Sequence, residues 1–72
     1  MELAVELIIC NKNKRWHSHY EFVNGNGDSA VRELEIIAIN QVVDKIDKGE
    51  MNEIIKKGDL RYVGVFQSKV LN

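Results

Sequence analysis

The sequence contains no proline, a single cysteine and almost no net charge. Because proline is absent, nothing in the chain forces a kink into a helix. One cysteine, Cys10, forms no internal disulfide and offers no zinc-binding pair. This favours a reducing compartment, so we expect a cytoplasmic protein. A formal net charge of −1 gives no overall field that would draw the chain onto nucleic acid.

We expect the first ten residues to form neither a signal peptide nor a membrane span. They are largely apolar, but Glu2 and Glu6 interrupt them and no basic segment precedes them. We therefore expect no membrane partner. With 72 residues, of which 44% are hydrophobic and 29% charged, the chain falls in the globular class. We expect one small domain over residues 1–72.

The longest periodic segment runs from Ser29 to Lys48 and predicts an amphipathic helix. Its apolar stripe, at steps of three or four, consists of Val31, Leu34, Ala38, Val42 and Ile46. Asp28 or Ser29 is expected to cap the N-terminus of the helix, since either side chain can accept a hydrogen bond from a free backbone N–H. Gly49 is expected to end it.

Two segments before this helix alternate in polarity and predict a β-hairpin over residues 2–10 and 15–23. We expect Lys12 and Asn13 to form a two-residue turn between them. The register that follows pairs aliphatic with aromatic side chains, with one exception: Leu3 with Phe22, Val5 with Tyr20, Leu7 with Ser18 and Ile9 with Trp16. Trp16 is accordingly expected in the core.

A second, shorter helix is predicted over residues 50–57, with Met51, Ile54 and Ile55 facing inward. A third strand is predicted over residues 60–70, lying antiparallel beside the first strand in the spatial order 2-1-3. Both faces of this strand carry apolar side chains, so the sequence leaves open which face meets the helix. The predicted fold is α+β, with the order ββααβ and a three-stranded sheet packed on one helix layer.

Such a sheet has one face that no helix covers, and the sequence places apolar side chains there. Contiguous apolar patches usually mark interfaces. We therefore expect a homodimer or a complex with another protein, in preference to a segment of the chain folding over this surface. The residues assigned to the interface are Ile8, Ile36, Ile37, Tyr62 and Phe66.

The basic tip of the hairpin indicates an alternative function, the binding of nucleic acid by a β-ribbon. The residues assigned to it are Lys12, Lys14, Arg15, His17 and His19. A charged tip also prevents an edge strand from pairing with other chains. Because the net charge is near zero, nucleic acid is the second choice.

His17 and His19 lie two apart on a strand and share a face with Glu21, and the predicted register places Glu6 across from them. Two histidines and a carboxylate are zinc ligands, but this spacing is unspecific, so metal binding stays open and we assign no metal or cofactor. Cys10 does not lie opposite His17 and gains no base from it. We assign no catalytic residue.

The sequence therefore predicts a small non-enzymatic protein–protein interaction module that self-associates. Inhibitors, antitoxins and adaptors, some of them encoded by phages or bacteria, are the kinds of protein that fit this description.

Overall fold

A three-stranded antiparallel sheet carries one α-helix across one of its faces. The computed structural model describes residues 1–71. They form β1 (Glu2–Asn11), β2 (Trp16–Asn24), α1 (Val31–Asp47) and β3 (Leu60–Val70). The strands lie in the order β2-β1-β3, and β1 is antiparallel to both neighbours. The α+β class and the position of the third strand are confirmed. No helix in this part of the chain is long and apolar enough to cross a lipid bilayer.

The core lies between β1 and α1. Alternate side chains of β1 point toward the helix and are at most 1% exposed: Leu3, Val5, Leu7 and Ile9. The helix meets them with its predicted stripe, of which four members are buried: Leu34, Ala38, Val42 and Ile46. Val31, at the start of that stripe, is exposed. Val63 and Val65 of β3 pack against the same cluster. The face of the third strand that carries these two residues is therefore the one that meets the helix, a point that the sequence left open.

The helix begins two residues later than predicted and has no side-chain cap. Its N-cap is Ala30, not Asp28 or Ser29. The prediction was wrong: the Ser29 hydroxyl instead donates to Asn26 Oδ1 in the preceding loop at 2.9 Å, and the Asp28 backbone N–H donates to the same atom at 3.3 Å. Short polar side chains that bond within a loop compete with capping in this way.

The C-terminus of the helix ends as the sequence predicts. Gly49 has a φ of +78°, which glycine adopts at low cost. Its N–H donates to the Ile46 carbonyl at 3.1 Å, and the Glu50 N–H donates to the Lys45 carbonyl at 2.9 Å. This pair of bonds is a Schellman motif, and it satisfies carbonyls that the helix leaves free.

The predicted second helix over residues 50–57 does not form; the segment consists of turns. The N–H groups of Ile54 and Ile55 both donate to the Met51 carbonyl, at 2.9 and 2.8 Å, which makes a single closed turn. Isolated helices this short are marginal. Met51 and Ile55 are buried as predicted, so packing holds the segment without a helix, but Ile54 is exposed and its predicted inward position was wrong.

The predicted hairpin register is wrong by one residue. The observed pairs are Leu3 with Val23, Val5 with Glu21, Leu7 with His19 and Ile9 with His17. The loop is longer than the predicted two-residue turn: the Lys14 N–H donates to the Asn11 carbonyl at 2.9 Å, and the Asn11 N–H donates to the Arg15 carbonyl at 3.0 Å. Because side chains alternate along a strand, this one residue moves every side chain of β2 to the other face of the sheet.

Candidate interaction surface

The sheet surface opposite α1, which we call the outer face, carries the aromatic side chains of the chain. The pairings place the following residues on it: Ala4, Glu6, Ile8 and Cys10 of β1; Trp16, Ser18, Tyr20 and Phe22 of β2; and Tyr62, Gly64, Gln67 and Lys69 of β3. Phe66 is the extra residue of a β-bulge and follows Gly64 at a step of two, so it joins this face.

Five aromatic rings on the outer face are exposed to solvent. Trp16, Tyr20, Phe22, Tyr62 and Phe66 are each between 52% and 63% exposed. They lie on the two edge strands, whereas the central strand contributes the smaller side chains Ala4, Ile8 and Cys10. The outer face is therefore an apolar strip with aromatic rows along both sides. Trp16 belongs to it and not to the core, contrary to the prediction.

One end of the strip is closed by contact between two rings. Trp16 and Tyr62 both pair with Cys10, from opposite sides, and their ring centroids lie 6.0 Å apart with an interplanar angle of 65°. This edge-to-face arrangement is favourable for aromatic rings. The Tyr62 ring lies so close to Gly64 that a side chain there would collide with it. Cys10 is only 4% exposed at this position.

The carboxylate of Glu6 lies in the middle of the strip. The Ser18 hydroxyl donates to its Oε2 at 2.7 Å, and the Gln67 amide donates to its Oε1 at 2.8 Å. The Ser18 bond, followed by those from Gln67 and Tyr20, lowers the pKa of the Glu6 carboxyl against the opposing effect of desolvation. The same contact with Glu6 raises the pKa of the Tyr20 hydroxyl. The carboxylate therefore stays ionised at neutral pH.

The residues that the sequence assigned to an interface fall on two different surfaces. Ile8, Tyr62 and Phe66 come together on the outer face, where Ile8 is partly buried between Ser18 and Gly64. Ile36 and Ile37 are exposed at 46% and 42% on the helix, which lies on the other side of the sheet. The structure does not bring these two groups together.

The residues assigned to nucleic-acid binding are also separated. Lys12, Lys14 and Arg15 are exposed at the hairpin tip, and Lys12 Nζ lies 3.2 Å from Asp59 Oδ1. His17 and His19 lie on the helix side of the sheet because of the corrected register, opposite the face that carries Trp16. Only the tip itself stays next to an exposed aromatic ring.

A polar cluster beneath the helix was not predicted. Glu21 is 3% exposed, and Lys45 Nζ of the helix donates to both of its carboxylate oxygens, at 3.0 and 2.9 Å. His19 Nε2 lies 2.5 Å from Glu21 Oε2. A buried carboxylate needs such partners to offset its desolvation. His17 Nε2 is buried and has no hydrogen-bond partner among residues 1–71.

The histidines share a face with Glu21, as predicted, but Glu6 lies on the other side of the sheet. Within residues 1–71, no three His, Cys, Asp or Glu side chains are grouped so that they could hold a metal ion. The same part of the chain contains no pocket.

One signal in the sequence marks where the hairpin loop starts, but not how long it is. Asn favours the first position of a turn, where its side chain bonds to the backbone that follows. Asn11 Oδ1 accepts from the N–H groups of Asn13 and Arg15, at 2.9 and 3.0 Å. The predicted two-residue turn also starts at Asn11, so this signal does not fix the register; the observed loop includes Lys14, whose φ is +63°, and this additional residue shifts the pairing by one.

No protein-family model, curated protein or solved structure matches the chain.

Proposed function

We propose that this chain is a small non-enzymatic interaction module that self-associates through its outer face. The observation that carries the proposal is the pair of aromatic rows, five rings that are all more than half exposed, on either side of the partly buried Ile8. Aromatic side chains are enriched at protein interfaces and dominate their energetics. An inhibitor, antitoxin or adaptor in the cytoplasm is the role that we infer for such a module.

The size of the aromatic surface supports this proposal. An aromatic side chain has roughly 150–250 Å² of surface, so five rings that are half exposed present on the order of 500 Å². Monomeric proteins rarely expose larger apolar patches, and a standard interface buries about 800 Å² on each partner. The rings and the smaller side chains between them supply most of the area that one partner buries in a standard interface.

The layer arrangement supports it as well. A sheet that is apolar on both faces is stable when both faces are covered, and α1 covers only one. A 72-residue chain has a small core, so a second layer contributed by another copy would stabilise it substantially.

One observation favours a second candidate, the binding of single-stranded nucleic acid. Trp16 is 58% exposed and follows Lys14 and Arg15 directly, so a base could stack on the ring while the cations contact phosphate. The position of Glu6 in the middle of the same face opposes a polyanion. We therefore place this candidate second.

Sedimentation analysis from micromolar to millimolar protein concentration tests the proposal. We expect the parent chain to form a dimer and a Phe22→Ser/Phe66→Ser variant to stay monomeric. Both rings are 63% exposed, so removing them should change the folded monomer little. Trp16, the one tryptophan, should shift its fluorescence to shorter wavelength as the parent associates.

An Ile36→Ser/Ile37→Ser variant is the matched control, since it removes two exposed apolar side chains from the helix. It should associate as the parent does. A parent that stays monomeric at millimolar concentration would contradict the proposal. If that monomer slowed the migration of labelled mixed-sequence oligonucleotides in a gel, and a Lys14→Ala/Arg15→Ala variant did not, the second candidate would replace the first.

A further inference from the structure

Two asparagines between the end of β2 and the start of α1 are each followed by glycine, in the pairs Asn24–Gly25 and Asn26–Gly27. In such a pair the backbone nitrogen of the glycine can attack the asparagine side chain, because the glycine has no side chain that obstructs the approach. Closing the five-membered ring requires rotation about the Cα–C bond of the asparagine and a glycine nitrogen that is free to move. The two pairs differ in both respects.

Gly25 is held by hydrogen bonds at its nitrogen and at its carbonyl. Its N–H donates to the Met1 carbonyl at 2.7 Å, and its carbonyl accepts from the Met1 amino group at 2.8 Å. Leu34 of the helix packs so closely against it that a Cβ on this glycine would lie 2.8 Å from Leu34 Cδ2. Asn24 is the last residue of β2 and pairs with Glu2, so its backbone is extended. Ring closure at Asn24 would break these contacts.

Gly27 has neither kind of restraint. Within residues 1–71 its N–H donates to no backbone or side-chain acceptor, and a Cβ built on it would meet no atom within 4 Å. Asn26 is exposed, and its carbonyl accepts from the Ser29 N–H at 3.1 Å in a turn. Opening an exposed turn of this kind costs less than opening a strand end that is bonded twice and packed against the helix.

The side chain of Asn26 is also prepared for attack. Its Oδ1 accepts from the Ser29 hydroxyl at 2.9 Å and from the Asp28 N–H at 3.3 Å. When the Gly27 nitrogen adds to Asn26 Cγ, negative charge develops on this oxygen. Hydrogen-bond donors aimed at an atom where charge develops stabilise the transition state.

We propose that Asn26 is a site of intramolecular deamidation, at which the chain converts this asparagine to aspartate and isoaspartate while Asn24 stays intact. The Gly27 nitrogen gives its proton to solvent and forms a bond to Asn26 Cγ. The Cγ–Nδ2 bond then breaks, and Nδ2 takes up a proton and leaves as ammonia. The product is a succinimide ring.

Water opens the ring in two ways. Attack at Cγ gives aspartate, and attack at the backbone carbonyl carbon of residue 26 gives isoaspartate. In either case one of the two ring bonds to the Gly27 nitrogen breaks, and this nitrogen regains a proton. Each conversion adds one negative charge, and isoaspartate also adds a methylene group to the backbone between β2 and α1. The reaction does not depend on the proposed self-association, because Asn26 and Gly27 lie outside the outer face.

Peptide mapping by mass spectrometry, on protein kept in mildly alkaline buffer, tests this site. In the folded parent we expect Asn26 to convert at least tenfold faster than Asn24, with fragmentation of their shared peptide locating the change. In concentrated urea the two rates should become similar, because the fold no longer restrains Gly25. Asn13 is the internal control: it is exposed in the hairpin loop but is followed by Lys14, so it should stay intact.

Gly27→Ala is the matched variant. The added methyl group fits, because it meets no atom within 4 Å and the φ of Gly27 is not positive, but it obstructs the attacking nitrogen. We expect it to slow conversion of Asn26 about tenfold, with circular dichroism showing that the variant is folded. Asn24→Gln should leave the rate at Asn26 unchanged.

Three results would contradict the proposal. They are conversion of Asn24 as fast as Asn26 in the folded parent, an Asn26 as stable as Asn13, and an unchanged rate in Gly27→Ala. None of them depends on the oligomeric state of the protein. Their occurrence would leave self-association standing, and a parent that stays monomeric would leave the assignment of Asn26 standing.

Discussion

At the scale of single residues, each face of the sheet carries one carboxylate with a different set of partners. Glu21, beneath the helix, is neutralised within the chain by Lys45 and contacted by His19. Glu6, on the outer face, receives hydrogen bonds from neutral groups alone. The interior carboxylate therefore has its counter-charge within the described chain, whereas the outer one is held by uncharged hydrogen-bond donors.

The contact between Glu6 and Tyr20 predicts a change in tyrosine ionisation. In a Tyr62→Phe background, Glu6→Gln should lower the pKa of Tyr20 toward its ordinary value of 10.0, because the carboxylate favours the neutral hydroxyl. Ultraviolet absorbance of tyrosinate during an alkaline titration measures this shift. Because the pKa of Tyr20 is raised in the folded state, its hydroxyl stabilises the fold below pH 10.0. This stabilisation is lost as the pH rises through the folded-state pKa. An unchanged titration curve would mean that the contact does not persist in solution.

Glu6 gives the opposite dependence in acid. The pKa of the Glu6 carboxyl is lowered in the folded state. Its contribution to stability is therefore fully present above pH 4.5 and is lost as the pH falls through the folded-state pKa. Urea unfolding of the dilute monomer should therefore show a smaller loss of stability in acid for Glu6→Gln than for the parent.

The cluster around Glu21 predicts a stability effect. Lys45→Met should lower the free energy of unfolding by about 1–3 kcal/mol, because it leaves a buried carboxylate without its cation. Urea denaturation measures the change. Lys48→Met is the control: Lys48 and Asp44 pair at 2.9 Å, but their side chains are 62% and 60% exposed. Exposed pairs of this kind contribute little to stability. Equal effects of the two substitutions would contradict the structural role of Lys45.

At the scale of the elements, the hairpin loop has the greatest influence on the surface of the protein. Asn11 closes it with its carbonyl and its side chain, and Lys14 adopts a φ of +63° within it. The loop thereby sets the register of β2 against β1. This register places Trp16, Tyr20 and Phe22 on the outer face.

The backbone of Lys14 predicts a stabilising substitution. A positive φ costs a side-chain-bearing residue about 1–2 kcal/mol, of which glycine recovers part because it also loses more chain entropy on folding. Lys14→Gly should therefore raise the free energy of unfolding of the dilute monomer by up to about 1 kcal/mol. Asn13→Gly, at the neighbouring position without a positive φ, should give no gain in the same urea titration. A loss of stability in Lys14→Gly would mean that the loop has a different conformation.

At the scale of the whole molecule, the described chain is a two-layer structure with one aromatic surface left open. The helix buries the apolar face of β1, and the turns after it add Met51 and Ile55 to the same core. None of these elements lies against the outer face. Self-association would add the missing layer, and it would then couple folding stability to protein concentration.

The sequence by itself determined the three strands and the long helix. The alternation in residues 2–10, the helical stripe that includes Leu34 and Val42, and Gly49 are local signals, and the structure contains the elements that they predict. The hydrophobic character of the first strand on both faces was enough to place it in the centre of the sheet.

Only the tertiary structure decided which side of the sheet each side chain of β2 occupies. A strand with aromatic residues at one set of alternate positions and polar residues at the other pairs acceptably in two registers, and one loop residue separates them. Lys45 on the helix supplies the cation that lets Glu21 lie in the interior, a contact between segments that no local pattern predicts. For this reason the aromatic rings lie on the outer face around Glu6.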